Sequence, residues 1–180
     1  MTKVLIPIAE GSEEMEVVIT ADVLRRAGWD VTLAGLAAGP VRCSRRVQLV
    51  PDTFWSDIRP AEFDLLVIPG GGPGVQRLLH DPRVLEAVRA HARAGKRLAA
   101  VCAGPLVLQA AGVLDGRRAT GHPDVAERLK AARYEAAAIV TDGNITTSQA
   151  AGTCFTFALE LIRLIEGPEK AATVRKGLVL

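Results

Sequence analysis

Cys102 is the residue whose type and surroundings most directly predict chemistry in this sequence. The apolar run at residues 98–101 predicts a buried parallel strand before it, and Pro105 predicts a helix that begins just after it. A chain that passes from strand to helix without a loop must bend sharply, and the small residues Ala103 and Gly104 permit that bend. The helix N-terminus then favours the thiolate, which is the reactive form of cysteine. The alternative is a small buried apolar side chain, a common fate of free cysteine.

Glu16 is the candidate partner of this thiol. The sequence predicts a helix over residues 13–27 with Ser12 as its N-cap. Glu16 lies opposite the charged face of that helix, so its carboxyl should face the interior and resist ionisation. A protonated carboxyl can donate a hydrogen bond to a thiolate and then act as a general acid or base. The alternative is an acid that only stabilises the first turn, and Glu13 and Glu14 are expected to be solvated acids of that kind.

A glycine-rich segment at residues 69–74 follows a predicted strand. Gly70 and its neighbours would let the backbone approach a ligand closely. The Gly71 N–H is then a candidate for one half of an oxyanion hole, with the Ala103 N–H as the other half. A plain tight turn is the alternative. A dinucleotide-binding fingerprint is disfavoured, because Val75 occupies the position of the third glycine.

The three histidines do not have the spacing of a metal site, and no metal is expected. His122 lies in an irregular segment, where functional residues are over-represented, although a structural role is the alternative. Asp124 and Glu127 are predicted to form a capping box for a following helix. His80 is expected in a loop, and His91 on a charged helix is expected to be solvated.

The elements that must position these residues alternate between strand and helix along one domain, residues 1–180. This alternation predicts an α/β fold with a parallel sheet and helices on both faces. A small hairpin is predicted around residues 44–46, a turn at residues 142–144, a long helix over 153–165 and a short last helix over 168–175. Ligands of such sheets bind at the carboxyl ends of the strands. The topology would therefore bring Cys102, the glycine-rich segment and the start of the first helix together.

Composition narrows the function classes. The net charge is +2 and aromatic residues make up 4% of the chain, so a nucleic-acid surface with stacking aromatics is disfavoured. No apolar stretch approaches the roughly 20 residues of a membrane span, and none has the form of a signal peptide. The 3 cysteines are an odd number, which indicates reduced thiols and a cytoplasmic location.

The residues together resemble the DJ-one/PfpI superfamily, and within it the branch of the parkinsonism-associated deglycase and its bacterial homologues. The resemblance runs from residue 3 to about residue 180 and rests on the order and spacing of several segments. These segments are Gly11-Ser12-Glu13-Glu14-Met15-Glu16, Arg25-Arg26-Ala27-Gly28, Val41-Arg42-Cys43-Ser44-Arg45, Val67-Ile68-Pro69-Gly70-Gly71, Ala100-Val101-Cys102-Ala103-Gly104-Pro105, Thr120-Gly121-His122-Pro123 and Gly152-Thr153. The sequence departs from the family at Gln149-Ala150-Ala151, where Gly-Pro-Gly-Thr and a preceding Arg or Gln are common.

This resemblance implies a flavodoxin-like three-layer sandwich that forms a homodimer and uses no cofactor. It implies that Cys102 is the reactive cysteine, that Glu16 is its protonated partner and that His122 lies close to the sulfur. It also implies that Gly71 and Ala103 supply the oxyanion donors. The family is credited with glyoxalase and deglycase activity, with oxidation sensing and with chaperone-like protection.

The main functional hypothesis is a thiol enzyme that acts on small reactive aldehydes, or on glycated protein adducts, through Cys102. The alternative is a non-catalytic sensor of oxidative stress, or a chaperone, that uses the same thiol. A cysteine hydrolase or amidase is a third possibility. It is weakened because His122 has no obvious carboxylate to orient it.

Overall fold

The computed structural model describes residues 1–180. A seven-stranded sheet forms the centre of the fold, in the order β10-β11-β7-β6-β1-β2-β5. The strands are β1 (Lys3–Ile8), β2 (Asp30–Gly35), β3 (Val41–Arg42), β4 (Gln48–Leu49), β5 (Thr53–Phe54), β6 (Leu65–Ile68), β7 (Arg97–Val101), β8 (Arg118–Ala119), β9 (Arg133–Tyr134), β10 (Ile139–Asp142) and β11 (Ile145–Ser148). The helices are α1 (Glu14–Arg26), α2 (Gly72–His80), α3 (Pro82–Arg93), α4 (Pro105–Ala110), α5 (Cys154–Glu166) and α6 (Pro168–Gly177).

Neighbouring strands of this sheet run parallel except at the β10–β11 hairpin, which turns at Gly143. One face carries α1, α5 and α6, and the other carries α2, α3 and α4. Side chains of β1 alternate between the two faces: Ile6 packs with Phe157 of α5, whereas Leu5 packs with Leu78 of α2. This three-layer arrangement confirms the predicted flavodoxin-like α/β sandwich.

Short elements complete the fold. β3 and β4 form the predicted antiparallel hairpin, and α6 is the predicted last helix. The sequence did not predict α2, whose first turn contains Gly72, Pro73 and Gly74, or the small pair β8–β9. None of the helices is both long and apolar enough to cross a lipid bilayer.

Two predictions about the first turn of α1 are wrong. Ser12 is buried and does not cap the helix, because its Oγ accepts a hydrogen bond from the Ala9 N–H at 3.1 Å and closes the turn after β1. Glu14 is also buried, and its carboxylate accepts hydrogen bonds from the backbone N–H groups of Arg45 and Val47. It therefore fastens the β3–β4 hairpin to α1 instead of facing solvent.

The histidine and cap predictions also need correction. His91 is only 1% exposed, and its Nε2 has no hydrogen-bond partner. His80 ends α2, where its Nδ1 lies 2.7 Å from the Gln76 carbonyl oxygen. The predicted Asp124 cap is wrong, because the side chain of His122 caps the short 3-10 helix that follows it.

Candidate active site

Cys102 occupies a strained turn at the carboxyl end of β7. Its φ is 61°, a left-handed conformation that is unusual for a residue with a side chain. The turn is closed by a 2.8 Å hydrogen bond from the Gly104 N–H to the Val101 carbonyl oxygen. A side chain at residue 104 would lie 2.5 Å from the Ile68 carbonyl oxygen, so only glycine fits there. The bend predicted from the sequence therefore exists, and it leaves the Cys102 side chain partly exposed.

Glu16 reaches this thiol from the first turn of α1. The residue is 1% exposed. Its Oε2 accepts a 2.7 Å hydrogen bond from the Gly70 N–H, and the carboxyl lies beside the Cys102 side chain, close enough for each to affect the pKa of the other. A Cβ atom at residue 70 would lie 2.6 Å from Glu16 Oε2 and 2.5 Å from the Cys102 Cβ. The absence of a side chain at Gly70 is thus what allows the carboxyl and the sulfur to meet.

Two backbone donors face the sulfur. The N–H groups of Gly71 and Ala103 lie near enough to the Cys102 sulfur to lower its pKa, and neither donates to a backbone oxygen. Gly71 has a φ of 86°, and a Cβ there would lie 2.3 Å from the Gly11 carbonyl oxygen. Glycine is therefore needed to aim this N–H at the sulfur, and the pair of donors has the composition of an oxyanion hole.

Burial sets the protonation of the Glu16–Cys102 pair. It raises the pKa of Glu16 to about 7, although hydrogen bonds from Cys102 and Gly70 act in the opposite direction. It also raises the pKa of the Cys102 thiol to about 12, with further increases from the charge and hydrogen bond of an ionised Glu16. The N–H groups of Gly71 and Ala103 act to lower it.

The raised pKa of Cys102 runs against the expectation that the helix N-terminus favours the thiolate. Charge on Glu16 opposes charge on the sulfur, because two adjacent buried anions repel each other. A thiolate at Cys102 is therefore favoured only when Glu16 carries the remaining proton. The two groups form a single acid–base unit in which one proton is shared.

His122 joins the same region through its backbone, because its N–H donates a 2.9 Å hydrogen bond to the Cys102 carbonyl oxygen. The side-chain Nδ1 accepts a hydrogen bond from the Asp124 N–H at 3.2 Å, so the neutral imidazole carries its proton on Nε2. The Asp124 carboxylate lies 3.5 Å from Nδ1, although its side chain is 86% exposed. Asp124 is thus close enough to influence His122, which the sequence did not indicate.

The other two cysteines are buried and free. Burial raises the pKa of Cys43 to about 11 and that of Cys154 to about 12. The Cys154 thiol donates to the Ala150 carbonyl oxygen at 3.6 Å and lies in the core beneath α1. Cys154 is therefore a core residue, and Cys102 is the partly exposed thiol of the chain.

The sequence missed one supporting residue of the site. Glu14, two residues before Glu16, accepts hydrogen bonds from Arg45 and from Ser44 Oγ at 3.0 Å. Burial alone would raise the pKa of Glu14, but its hydrogen bonds lower it overall. A signal was present in the sequence, since an acid followed the glycine turn and a Cys-Ser-Arg turn offered unpaired N–H groups. Only the fold brings the two segments together.

The fold and the site define the class: an α/β sandwich with a cysteine at a strand-to-helix elbow and a carboxyl as its partner. Comparison with known proteins gives the family. The family model described as DJ-1/PfpI family matches residues 2–164, and the chain belongs to this family.

Individual relatives agree with this assignment. The Parkinson disease protein 7 homolog of Danio rerio is 40% identical, over 99% of this chain and 97% of the relative. The glutathione-independent glyoxalase DJR-1.2 of Caenorhabditis elegans is 37% identical, over 98% and 95% of the two chains. The crystal structure of Drosophila melanogaster DJ-1beta matches with a TM-score of 0.96 at 40% identity, over 99% of this chain and 98% of that one.

Proposed function

We propose that this protein is a cofactor-free enzyme that converts small α-oxoaldehydes such as methylglyoxal into hydroxy acids. The observation that carries the proposal is the arrangement around Gly70, where the Glu16 carboxyl meets the Cys102 sulfur. The N–H groups of Gly71 and Ala103 face the same sulfur. A nucleophile, a proton carrier and two anion-stabilising donors are what this conversion requires. The glyoxalase name of the Caenorhabditis elegans relative supports the same chemistry.

The first step is addition. The Cys102 thiolate attacks the aldehyde carbon of methylglyoxal, a C–S bond forms, and the carbonyl π electrons move to oxygen. Gly71 and Ala103 donate to this oxyanion, which takes the proton of Glu16 to give a hemithioacetal and leaves Glu16 ionised. This step uses the form of the pair in which Glu16 carries the remaining proton, so that a thiolate and an acid are present together.

The second step moves a proton between adjacent carbons. Ionised Glu16 removes the proton from the carbon bonded to sulfur, which gives an enediolate, and returns it to the neighbouring carbon. The hydroxyl proton of the hemithioacetal passes to the second oxygen in the same conversion. The product is the thioester of lactate on Cys102. Water then attacks the thioester carbonyl, the C–S bond breaks, and lactate leaves with the thiolate restored. His122, with its proton on Nε2, is the group we assign to polarise the second substrate oxygen.

The same steps account for deglycase activity. In an early adduct of methylglyoxal with a protein amine, the sulfur displaces the amine at the hemiaminal carbon. The freed amine leaves with a proton, and the resulting hemithioacetal follows the route above. Small aldehydes offer few contacts for transition-state binding, so slow turnover is expected.

A sensor of oxidative stress is the second candidate, and the partial exposure of Cys102 favours it. A peroxide would oxidise the thiolate first to a sulfenic acid and, with a second equivalent, to a sulfinic acid. Protonated Glu16 and the two N–H groups could hold the new oxygens. Both candidates begin from the thiolate, so the site geometry serves either one.

Variants of Cys102 and Glu16 distinguish the aldehyde-converting enzyme from the oxidation sensor. Cys102→Ser should lose both lactate formation and peroxide-driven mass gain. Glu16→Gln should leave a sulfur that is still alkylated and oxidised once the pH is high enough to ionise it, but should lower turnover by about 10²–10⁴-fold, because an amide cannot carry the proton between carbons. Wild type that forms no lactate but oxidises readily at Cys102 would instead identify a sensor.

We also propose a homodimer. Met15 and Val18 are 53% and 47% exposed on α1, and Val47 is 49% exposed at the adjoining hairpin. Glu14 joins these two elements, so the three apolar side chains belong to one region that a second copy could cover. Light scattering should give twice the 19.1 kDa chain mass, and Val18→Glu should shift it toward the monomer.

A further inference from the structure

A cavity of about 290 Å³ lies where the segment after β1, the β3–β4 hairpin and the start of α2 meet. Its lining includes three arginines, Arg42, Arg46 and Arg77, and one acid, Glu10. Pro73, in the first turn of α2, forms part of the wall. Neither Cys102 nor Glu16 lines it, so this cavity is separate from the candidate active site.

The charges in this cavity do not balance. Arg77 pairs with Glu10, at 3.3 Å between guanidinium and carboxylate. The guanidinium groups of Arg42 and Arg46 make no ion pair and no hydrogen bond within the chain, although both line the same space. Two positive charges are therefore left facing a common cavity without an acidic partner.

We propose that this cavity binds the phosphate group of a soluble phosphate monoester. A phosphate monoester carries about −1.5 to −2 charge at neutral pH, which matches two unpaired guanidinium groups, whereas a carboxylate carries only one charge. Guanidinium groups bind phosphate oxygens through paired N–H donors. The first turn of α2 adds a weaker attraction, because the positive end of its dipole lies at Pro73.

Arg46 provides a variant that removes charge without damage to the fold. Its φ is 71°, in the left-handed region that glycine adopts without strain. Arg46→Gly should therefore leave the unfolding temperature unchanged or raise it, while it removes one of the two unpaired guanidinium groups. A loss of binding in this variant cannot then be attributed to unfolding.

The test is a titration of the full chain with inorganic phosphate and with glycerol phosphate, in which binding is measured by calorimetry and by the NMR shifts of the hairpin amides. A parallel titration with acetate tests a singly charged anion. Arg133→Gln is the matched control, since Arg133 is an exposed arginine outside the cavity. The readout does not use Cys102, so the proposal can fail or succeed independently of the aldehyde chemistry.

Saturable binding is expected for both phosphate ligands and not for acetate. If the monoester is the true ligand class, glycerol phosphate binds at least as tightly as inorganic phosphate. Arg46→Gly and Arg42→Gln should each weaken binding about tenfold, as expected for the loss of one charge-assisted contact, and Arg133→Gln should not. Binding that does not saturate, or that falls equally in the Arg133 control, would overturn the proposal.

Discussion

Replacement of Glu16 by glutamine should stabilise the protein at neutral pH while it lowers turnover by about 10²–10⁴-fold. Glutamine has nearly the same shape, and its amide oxygen can still accept the hydrogen bond from Gly70 that Oε2 accepts at 2.7 Å. What the change removes is an ionisable group that is 1% exposed to solvent. The buried Glu16 carboxyl is needed for the proposed chemistry, but its ionisation lowers the free energy of unfolding by an amount that depends on pH.

The size of that cost follows from the pKa of Glu16, which burial raises from 4.5 to about 7. Each pKa unit corresponds to about 1.4 kcal/mol, so the difference is about 3 kcal/mol. Because the folded-state pKa lies above the unfolded one, the folded protein binds more protons between these values. The contribution of Glu16 to stability is therefore fully favourable below about pH 4.5, and about 3 kcal/mol of it is lost as the pH rises through about 7.

Urea unfolding across this pH range measures the effect, and the fluorescence of the buried tryptophans Trp29 and Trp55 reports it. The free energies of unfolding of wild type and Glu16→Gln should be close at about pH 4 and differ by about 3 kcal/mol at about pH 8, with the variant more stable. Glu127→Gln, at an exposed acid, is the control that should show no such difference. A gap that stays constant from pH 4 to pH 8, or a variant that is less stable at pH 8, would refute the reasoning.

Three further predictions concern the neighbours of this pair. Gly70→Ala should slow alkylation of Cys102 by about tenfold or more and lower the free energy of unfolding by about 1–3 kcal/mol, because the new Cβ would overlap both Cys102 and Glu16. Mass spectrometry of the alkylated protein measures the rate. Glu14→Gln should destabilise the protein by about 1–3 kcal/mol near neutral pH, because the Glu14 carboxylate is buried and hydrogen-bonded. This loss of stability should shrink as the pH falls and the carboxylate, whose pKa is lowered, becomes protonated in the wild type; urea unfolding at several pH values measures the difference. Burial lowers the pKa of His91, so wild type should lose stability as the pH falls below about 6.5, whereas His91→Leu should not; thermal unfolding in acid distinguishes the two.

The parts of the site that the sequence predicted are those with local signals. An apolar run, a cysteine, small residues and Pro105 occur in succession, and each constrains the backbone next to it, so the elbow at Cys102 was predictable. The inward position of Glu16 followed in the same way from the helical period of α1. Alternation of such segments was enough to predict the layers of the sandwich.

The parts that were missed depend on contacts between distant segments. Glu14 looks like a solvated acid until the hairpin residue Arg45 is placed beside it. His91 has charged neighbours along α3, and only the packing of that helix against β6 and β7 shows that its ring is buried. The start of α2 was missed for another reason: Gly72 and Gly74 are poor helix formers, and packing against the segment around Ser12 outweighs that preference.

A shared proton has a consequence for the pH dependence of Cys102 itself. The thiolate with a protonated Glu16 is a state in which the pair holds one proton, so it becomes available once the pair has lost its first proton. The Glu16 pKa of about 7 places the midpoint of that step near neutrality, and the Cys102 pKa of about 12 places loss of the second proton far above it. Alkylation of Cys102 should therefore rise as the pH passes through about 7 and then level off, without a fall up to about pH 9.

In Glu16→Gln this dependence should change shape, since the amide neither holds the shared proton nor repels the sulfur with a charge. The rise should then follow the ionisation of Cys102 alone, between the ordinary value for the thiol and the pKa of about 12 that applies beside an ionised Glu16. Ultraviolet absorbance of the thiolate, with Cys102→Ser as the blank, follows this directly. Identical profiles for wild type and Glu16→Gln would mean that the two groups titrate independently, and the proton relay assigned to Glu16 would then have no basis.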